Sequence, residues 1–338
     1  MVDPINQLGK LAIIQIDFDI WSGQVKLEGL DLKLGKGGEL PSKKLVELGR
    51  KNVINRKHLN PFHRLKTQAR RLLASHGLPF MSGFAVPLTA VDDVITHLDE
   101  ISTQMDDLID NFTTNYDGWV DNWVATNPEY SSVIRAGALT KDKVRSRLGF
   151  EYQVFQVDPV NDRESKKLDK QAAGLSTKLI DEVVKDANEF FANCIDNRDS
   201  CHANTCKTLK RMRDKVNGLS FLDNRFIHIV NLLDKGLEAY SQSNGKVAGA
   251  PFYKILATTL ILSSQDKIEQ YASGSLTLES MANKLDGRNV AEVNHEIAID
   301  DDGEISNVVR VLVKDNGSIG DDMDSFFQSA SAKNAVTF

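Results

Sequence analysis

The densest group of side chains that could do chemistry consists of three cysteines and one histidine: Cys194, Cys201, His202 and Cys206. Thiolates and an imidazole are the ligands of a tetrahedral zinc site. Structural zinc sites usually present two close pairs of ligands, whereas here the adjacent Cys201 and His202 would both have to turn inward from one short connection. We therefore interpret the segment as an ordinary turn between helices and predict no stoichiometric metal. A zinc site and a regulatory thiol are the alternatives.

Motifs for catalysis and nucleotide binding do not occur in the sequence. The stretch from Gly29 to Gly37 has one residue too many between its glycines for a phosphate-binding loop, and a glycine where Ser or Thr would bind magnesium. Asp17 and Asp19 have strand spacing and could bind a metal, but an isolated pair is more typical of a solvated strand face. Neither a Gly-x-Ser-x-Gly elbow nor a His-Glu-x-x-His helix is present. We predict a protein without enzymatic activity, catalytic residues or a cofactor.

The charged residues are strongly segregated, although the net charge is only −6. Residues 43–71, called here the basic segment, carry ten Lys or Arg and the single acid Glu47, which gives a local charge of +9. From residue 72 to residue 134 there is no Lys or Arg, while ten Asp or Glu occur. Such blocks predict two oppositely charged faces.

The cations of the basic segment are candidate phosphate contacts, because nucleic acids are bound largely through their phosphates. The candidate nucleic-acid-binding residues are Arg50, Lys51, Arg56, Lys57, Arg64, Lys66, Arg70 and Arg71. Phosphate contacts carry no base information, so we expect little sequence preference. In the alternative hypothesis the basic segment pairs with the acids between Asp92 and Asp121, in the same chain or on a neighbouring subunit, since surface charges are mostly solvated or paired.

Two stretches have the alternation of β-strands. Residues 11–20 become alternating, with Ile14, Ile16, Phe18 and Ile20 on one face. The segment WSGQVKL that follows predicts a turn and a short return strand, and hence an N-terminal hairpin. Residues 151–157 alternate in the same way and end at an Asp-Pro pair, so they are a candidate partner for that hairpin.

Helical patterns cover most of the remaining chain. Residues 59–76 begin with Asn60 and Pro61 and stop at Gly77, which are start and stop signals for a helix. Between about residues 89 and 124 a large apolar residue recurs every seven positions, as in a coiled-coil seam. The predicted helix-interface residues are Val91, Leu98, Met105, Phe112 and Trp119. Tyr116 and Trp123 extend the aromatic part of this stripe, which we interpret as buried core or helix interface, with a ligand cage as the alternative. On that interpretation Trp119→Ala costs about 3 to 5 kcal/mol.

Four further helical patterns run through residues 168–195, 204–216, 221–240 and 251–271. Helices of this length in series favour an elongated antiparallel bundle. We predict an α+β fold that is mainly α, with a small β-sheet from the N-terminal hairpin and a central strand, and with a C-terminal β-hairpin.

The sequence predicts four regions. They are a β-hairpin and basic helical region (1–87), a long-helix bundle with the inserted strand 151–157 (88–285), a β-hairpin (286–314) and a flexible acidic tail (315–338). An Asp-Gly pair between two alternating runs predicts the C-terminal hairpin, and the tail is too polar to bury a core. Its acidic and aromatic residues are a candidate docking peptide for a basic, apolar groove on a partner, with a merely solubilising tail as the alternative. The candidate docking residues are Asp321, Asp322, Phe326 and Phe327.

Cysteine use and hydropathy predict a cytoplasmic protein. Three cysteines close together cannot form a secreted disulfide framework, and the first residues lack the features of a signal peptide. No run approaches the roughly 20 apolar residues that span a bilayer. We therefore expect no association with a membrane.

Several short motifs in the first quarter of the chain form a recognisable pattern. They are Trp21-Ser22-Gly23, Leu48-Gly49, Leu59, Pro61-Phe62, Arg70-Arg71-Leu72-Leu73, Gly77 and Phe84-Ala85-Val86-Pro87. In these residues the sequence resembles an uncharacterised bacterial family found on phages, plasmids and integrative conjugative elements. Members are often encoded beside a MoxR-type or cobaltochelatase-like AAA+ ATPase and a von Willebrand A domain protein. The resemblance therefore implies a partner role in such a module, and it implies no catalytic residues.

These features together predict an oligomeric, non-enzymatic protein of a phage or mobile element. It would bind nucleic acid through the basic segment and assemble through its long helices beside an AAA+ ATPase. A structural or scaffold subunit, such as a phage shell or sheath-like component, is the alternative. In that case the basic segment would pair with an acidic face of its own or of a neighbouring chain.

Overall fold

The computed structural model describes residues 7–28, 31, 48–159, 161–241, 245–286, 292–299 and 305–312. They form two compact units. The sheet unit comprises the described parts of residues 11–74 and 79–157, and the helical unit comprises those of residues 1–10, 75–78 and 158–338. The predicted boundary between residues 87 and 88 therefore lies inside the sheet unit. The predicted fold class, mainly α with small antiparallel sheets, is confirmed.

The sheet unit is built around strand β1 (Leu11–Ile20), which lies inside an antiparallel sheet. Strand β5 (Gly83–Pro87) pairs with the first part of β1, and strand β6 (Leu148–Phe155) pairs with most of its length. Strand β4 (Leu78–Phe80) completes the order β4-β5-β1-β6. The predicted central strand thus exists, begins three residues earlier than residue 151 and pairs with β1.

The predicted N-terminal hairpin is wrong, because strand β2 (Gln24–Lys26) does not return to β1. It pairs instead with strand β3 (Arg50–Asn52), which lies in the basic segment. Two physical features explain the difference. Both edges of β1 are already occupied by β5 and β6, and Gly23, with φ of +71°, redirects the chain after β1 at an angle that few other residues adopt.

The basic helix, α1 (Asn60–His76), follows a 3-10 turn at Arg56–Leu59. The side chain of Asn55 caps that turn, since its Oδ1 accepts a hydrogen bond from the Lys57 N–H at 3.1 Å. The helix ends before Gly77, as the sequence predicts. One side of the helix is buried, through Phe62, Leu65, Ala69 and Leu73. The polar residues between these positions are therefore directed to the opposite side.

The acidic helix, α2 (Leu88–Thr126), packs on strands β1, β5 and β6. Its apolar residues recur every three or four positions and so lie along one side of the helix. The buried ones are Val91, Val94, Leu98, Ile101, Met105, Ile109, Phe112, Tyr116 and Val120. They share one core with the buried residues of β1, β6 and the basic helix. Two short helices, α3 (Ser131–Gly137) and α4 (Lys141–Arg145), follow and contact α2.

Four of the five predicted helix-interface residues are buried: Val91, Leu98, Met105 and Phe112. They do not form a coiled coil, because in the described part of the sheet unit α2 packs against the sheet and shorter helices. Trp119 is only half-buried. A strict repeat of seven drifts by about 20° per heptad around a helix of 3.6 residues per turn, so four heptads carry Trp119 to the edge of the buried side.

The helical unit contains helices that mostly coincide with the predicted ones. In the part of the chain that the structure describes they are α5 (Asp162–Phe190), α6 (Cys206–Gly218), α7 (Arg225–Ser241), α8 (Ala250–Leu262), α9 (Gln265–Ala272) and α10 (Leu278–Asp286). The prediction of one helix through residues 251–271 is wrong, because α8 and α9 are separated at Ser263 and Ser264. The backbone is extended at Ser264, and the Ser263 carbonyl accepts a hydrogen bond from the Asn188 side chain at 3.2 Å.

Helix α8 is the most buried element of the helical unit, with every residue from 255 to 262 buried. Helix α7 crosses it at Gly236. A Cβ atom at that position would lie 2.8 Å from the Thr258 Oγ1, which is closer than side chains normally approach. The two helices therefore pack through a glycine, and this close approach holds the centre of the unit together.

The predicted C-terminal hairpin is confirmed as strands β9 (Glu292–Ile299) and β10 (Ile305–Leu312), which pair antiparallel. The predicted Asp-Gly turn between them lies outside the described residues. The candidate docking residues Asp321, Asp322, Phe326 and Phe327 lie outside them too, as does the whole predicted tail.

The core of the sheet unit yields a test based on two aromatic residues of the same helix. Phe112 is buried and contacts the ring of Phe62 edge-on at a centroid distance of 5.5 Å. Phe112→Ala is expected to lower the free energy of unfolding by about 3 to 5 kcal/mol. Trp119→Ala should cost less, roughly 1 to 2 kcal/mol, because that side chain is only partly buried at the edge of the core. Urea unfolding of both variants measures the difference, and equal losses would contradict the placement of Trp119 at the edge of the core.

Candidate nucleic-acid interface

The exposed side of the basic helix carries a continuous row of hydrogen-bonding side chains, called here the polar stripe. Its members are Asn60, His63, Arg64, Thr67, Gln68 and Arg71, all of them exposed. They are spaced by three and four residues, so they lie along one side of an α-helix. They line an open cleft of about 630 Å³. The stripe contains no acid and no aliphatic side chain.

The position of the stripe follows from what the helix buries. Phe62 and Leu65 are anchored in the core of the sheet unit, and Ala69 and Leu73 continue the same side one and two turns later. Residues at the opposite helical positions have to face outward. The stripe spans eleven residue steps, or about 16 Å at 1.5 Å per residue.

Most of the predicted nucleic-acid-binding cations are exposed, and they form no ion pair with the acids that the structure describes. The structure forms no ion pair between any described acid and Arg50, Arg56, Lys57, Arg64, Arg70 or Arg71. No Asp or Glu occurs between residues 48 and 91. The positive charge of this surface is therefore not cancelled locally by the described residues.

Two of the predicted cations have other partners. The Lys51 Nζ donates to both carboxylate oxygens of Asp31, at 2.6 and 2.7 Å, and the two side chains are only 13% and 10% exposed. This contact holds the pKa of Asp31 below its usual range. The Lys66 Nζ lies 6.0 Å from the centre of the Phe18 ring, a cation–π distance. Lys51 is thus a structural ion-pair residue, and its prediction as a free phosphate contact is corrected on that ground.

Three acids of the acidic helix pair with a different set of cations. Asp110 pairs with Arg145 at 2.6 Å, Asp117 with Lys141 at 3.0 Å and Asp121 with Arg135 at 3.0 Å. These three cations belong to α3 and α4 and not to the basic segment.

Among the described residues no ion pair joins the basic segment to the acids between Asp92 and Asp121. Each exposed pair contributes little to stability, but together the pairs offset charge along the second half of α2. Pairing of the basic segment with the acids of a neighbouring subunit stays a prediction.

A half-buried aromatic group lies at the start of the basic helix. The rings of His58 and Trp119 stack at a centroid distance of 4.2 Å with an interplanar angle of 10°. The Trp123 Nε1 donates to the Asn52 carbonyl at 3.2 Å. Burial lowers the pKa of His58, so this imidazole adds no positive charge at neutral pH. The group positions the 3-10 turn that carries Arg56 and Lys57.

The cysteine cluster is part of the packing of the helical unit. Cys201 lies in strand β7 (Ser200–His202), which pairs with strand β8 (Lys246–Ala248). Its thiol is buried, 3.8 Å from the Tyr240 Oη. The described residues contain no group of three or more His, Cys, Asp or Glu side chains arranged to hold a metal ion. The segment predicted to be a simple turn thus contains a short strand that leads into α6.

Comparison with protein families shows which family the chain belongs to. The profile of the family described as "Protein of unknown function (DUF3150)" matches residues 8–264. The chain belongs to this family. The match covers the basic helix, the acidic helix and most of the described helical unit, so the predicted resemblance to an uncharacterised family is confirmed and extends well beyond the first quarter of the chain. No curated protein and no solved structure matches.

The DUF3150 match places the candidate interface inside the family domain. It does not assign a role to any residue of the polar stripe. Among the described helices none is long and apolar enough to cross a membrane.

One contact on the acidic helix has a measurable pH dependence. The Tyr152 Oη donates to Asp99 Oδ1 at 2.5 Å, and this hydrogen bond, with burial, raises the pKa of Tyr152 to about 12. Because the folded-state pKa is raised, the contact stabilises the fold fully below pH 10 and loses that effect as the pH rises through about 12.

We expect Asp99→Asn to lower the pKa of Tyr152 toward the ordinary value, because the amide accepts a hydrogen bond without a negative charge. NMR titration of the Tyr152 Cζ resonance measures this pKa. Asp106→Asn, on an exposed position of the same helix, is the matched control and should leave the pKa unchanged. Titration of Tyr152 near pH 10 in the unmodified protein would contradict the contact.

Proposed function

We propose that this protein binds nucleic acid through the exposed side of the basic helix and the 3-10 turn before it. The observation that carries the proposal is the set of exposed cations, with Arg64, Arg70 and Arg71 at its centre, that pair with no described acid. Unpaired cations along one surface attract a polyanion, and binding gains free energy from the release of condensed counterions.

The distribution of acids supports binding on one side of the sheet unit. Acids of α2 such as Asp106 and Asp107 are exposed and have no ion-pair partner among the described residues. They repel phosphates, whereas the basic helix attracts them. A nucleic acid is thus directed to the basic helix and kept away from the acidic one.

The wider role that we propose is that of a non-enzymatic component of a phage or mobile-element system. This part rests on the resemblance to proteins encoded beside an AAA+ ATPase and a von Willebrand A domain protein. In such a module the protein would hold the nucleic acid while the ATPase supplies the energy for movement or remodelling. A cytoplasmic location and a homo-oligomeric state belong to the same proposal.

A structural subunit is the second candidate, and it too has a specific observation in its favour. The unpaired acids Asp106 and Asp107 of one copy offer a surface to which the basic helix of another copy could bind. In that arrangement the basic helix mediates assembly and contacts no nucleic acid.

Charge reversal at the centre of the basic helix distinguishes the two candidates. Changing Arg64, Arg70 and Arg71 to Glu together should abolish binding to a labelled DNA duplex, while the melting temperature stays nearly constant because exposed charges contribute little to stability. In the unmodified protein, four to six phosphate contacts should give a slope of about −3 to −5 in a plot of log K against log salt. Fluorescence anisotropy at several salt concentrations measures both the affinity for the duplex and the salt slope.

The matched control reverses three exposed cations of the helical unit, Lys207, Lys210 and Arg211, to Glu. It makes the same change in net charge and should keep most of the binding. Equal loss in both variants would show that only net charge matters. Absence of binding at about 0.1 M salt, together with a smaller oligomer in the first variant by light scattering, would replace the proposal with the structural-subunit candidate.

A further inference from the structure

The polar stripe contains the side chains that read base edges. Asn and Gln amides form paired hydrogen bonds with adenine, Arg forms them with guanine, and Thr contacts either polar edges or the thymine methyl. The stripe carries all of these types, at Asn60, Gln68, Arg64, Arg71 and Thr67. A helix that only attracted phosphates would need lysines and arginines, and it would not need amides along its most exposed side.

The amides of the stripe are free to bind a ligand. Neither Asn60 nor Gln68 forms a side-chain hydrogen bond with any described residue, so no role in holding the fold explains them. Thr67 donates its hydroxyl to the His63 carbonyl at 2.8 Å. This bond fixes the rotamer of Thr67 on the helix, next to the amide of Gln68.

The dimensions of the helix fit one groove of duplex DNA. The major groove of B-form DNA is about 12 Å wide and admits an α-helix. A stripe of about 16 Å covers four to five base pairs at roughly 3.4 Å each. Cations beside the stripe, including Arg70 and Lys57, are placed to contact the phosphates of the groove walls.

We infer that the basic helix reads the sequence of duplex DNA from the major groove, with Asn60 and Gln68 as specificity-determining residues. The inference rests on the proposed nucleic-acid binding and narrows its ligand from nucleic acid in general to B-form DNA. The major groove of A-form RNA is too deep and narrow for side chains to read, so duplex RNA is disfavoured. Reading of base edges by Asn60 and Gln68 also revises the expectation of little sequence preference, because that expectation considered only the contacts between cations and phosphates.

Enrichment from a library of random DNA duplexes tests the inference on the full-length protein. We expect one enriched motif of about four to five base pairs containing adenine. The protein should bind it about ten-fold or more tightly than a scrambled duplex, since one good amide-to-base pair is worth about 1 to 3 kcal/mol of discrimination. The double variant Asn60→Ala with Gln68→Ala should bring that ratio close to one without changing the salt slope, because both side chains are neutral.

A phosphate-contact variant provides the matched comparison. Arg70→Ala should weaken binding to the motif and to the scrambled duplex by the same factor, and should reduce the salt slope by about one. Equal unfolding curves for all variants ensure that the change lies in binding.

Four results would overturn the inference. Salt-dependent binding with no enriched motif would leave the proposed function standing and remove base reading. An enriched motif that survives the double variant would assign the reading to other residues. Binding to RNA without binding to DNA would remove the inference and keep the proposed function, and absence of binding to either would remove both.

Discussion

Burial of the apolar side of the acidic helix against strand β1 is the constraint on which the rest of the sheet unit depends. Phe112 and Tyr116 of that helix lie in one aromatic cluster with Trp21, which directly follows β1, and with Phe62 of the basic helix. Once these rings pack together, each helix has one side in the core, and its charges have to lie on the other side. The two charge blocks of the sequence thereby become two separate surfaces.

The separation of the two surfaces is supported because three acids of the acidic helix find partners on the two short helices that follow it. Arg135, Lys141 and Arg145 follow the acidic helix directly and pair with its second half. The cations of the basic helix are left without acidic partners in the described chain, which is an unusual condition for a surface in which most charges are paired or evenly mixed. Binding of a polyanion would relieve the mutual repulsion of these cations.

Local signals in the sequence predicted the elements well. Asn60 with Pro61 marked the start of the basic helix and Gly77 its end, because capping and stop signals depend on neighbouring residues only. Contacts that depend on distant pairing were not predictable. Three features depend on which surfaces meet in the fold. They are the pairing of β2 with β3, the ion pair between Lys51 and Asp31, and the division of the predicted helix 251–271 into two helices. For the candidate site, the sequence identified the basic segment, but which of its residues lie on the exposed side of the helix became visible once the buried positions were known.

Site-specific crosslinking tests the central claim, that DNA contacts the basic helix and avoids the acidic one. A photoreactive benzophenone side chain is placed at Thr67, in the middle of the polar stripe, or at Asp106, on the exposed side of the acidic helix. With the same labelled duplex under binding conditions, we predict a crosslink from position 67 and only background from position 106. A crosslink from position 106, or none from position 67 while the duplex stays bound, would contradict the account.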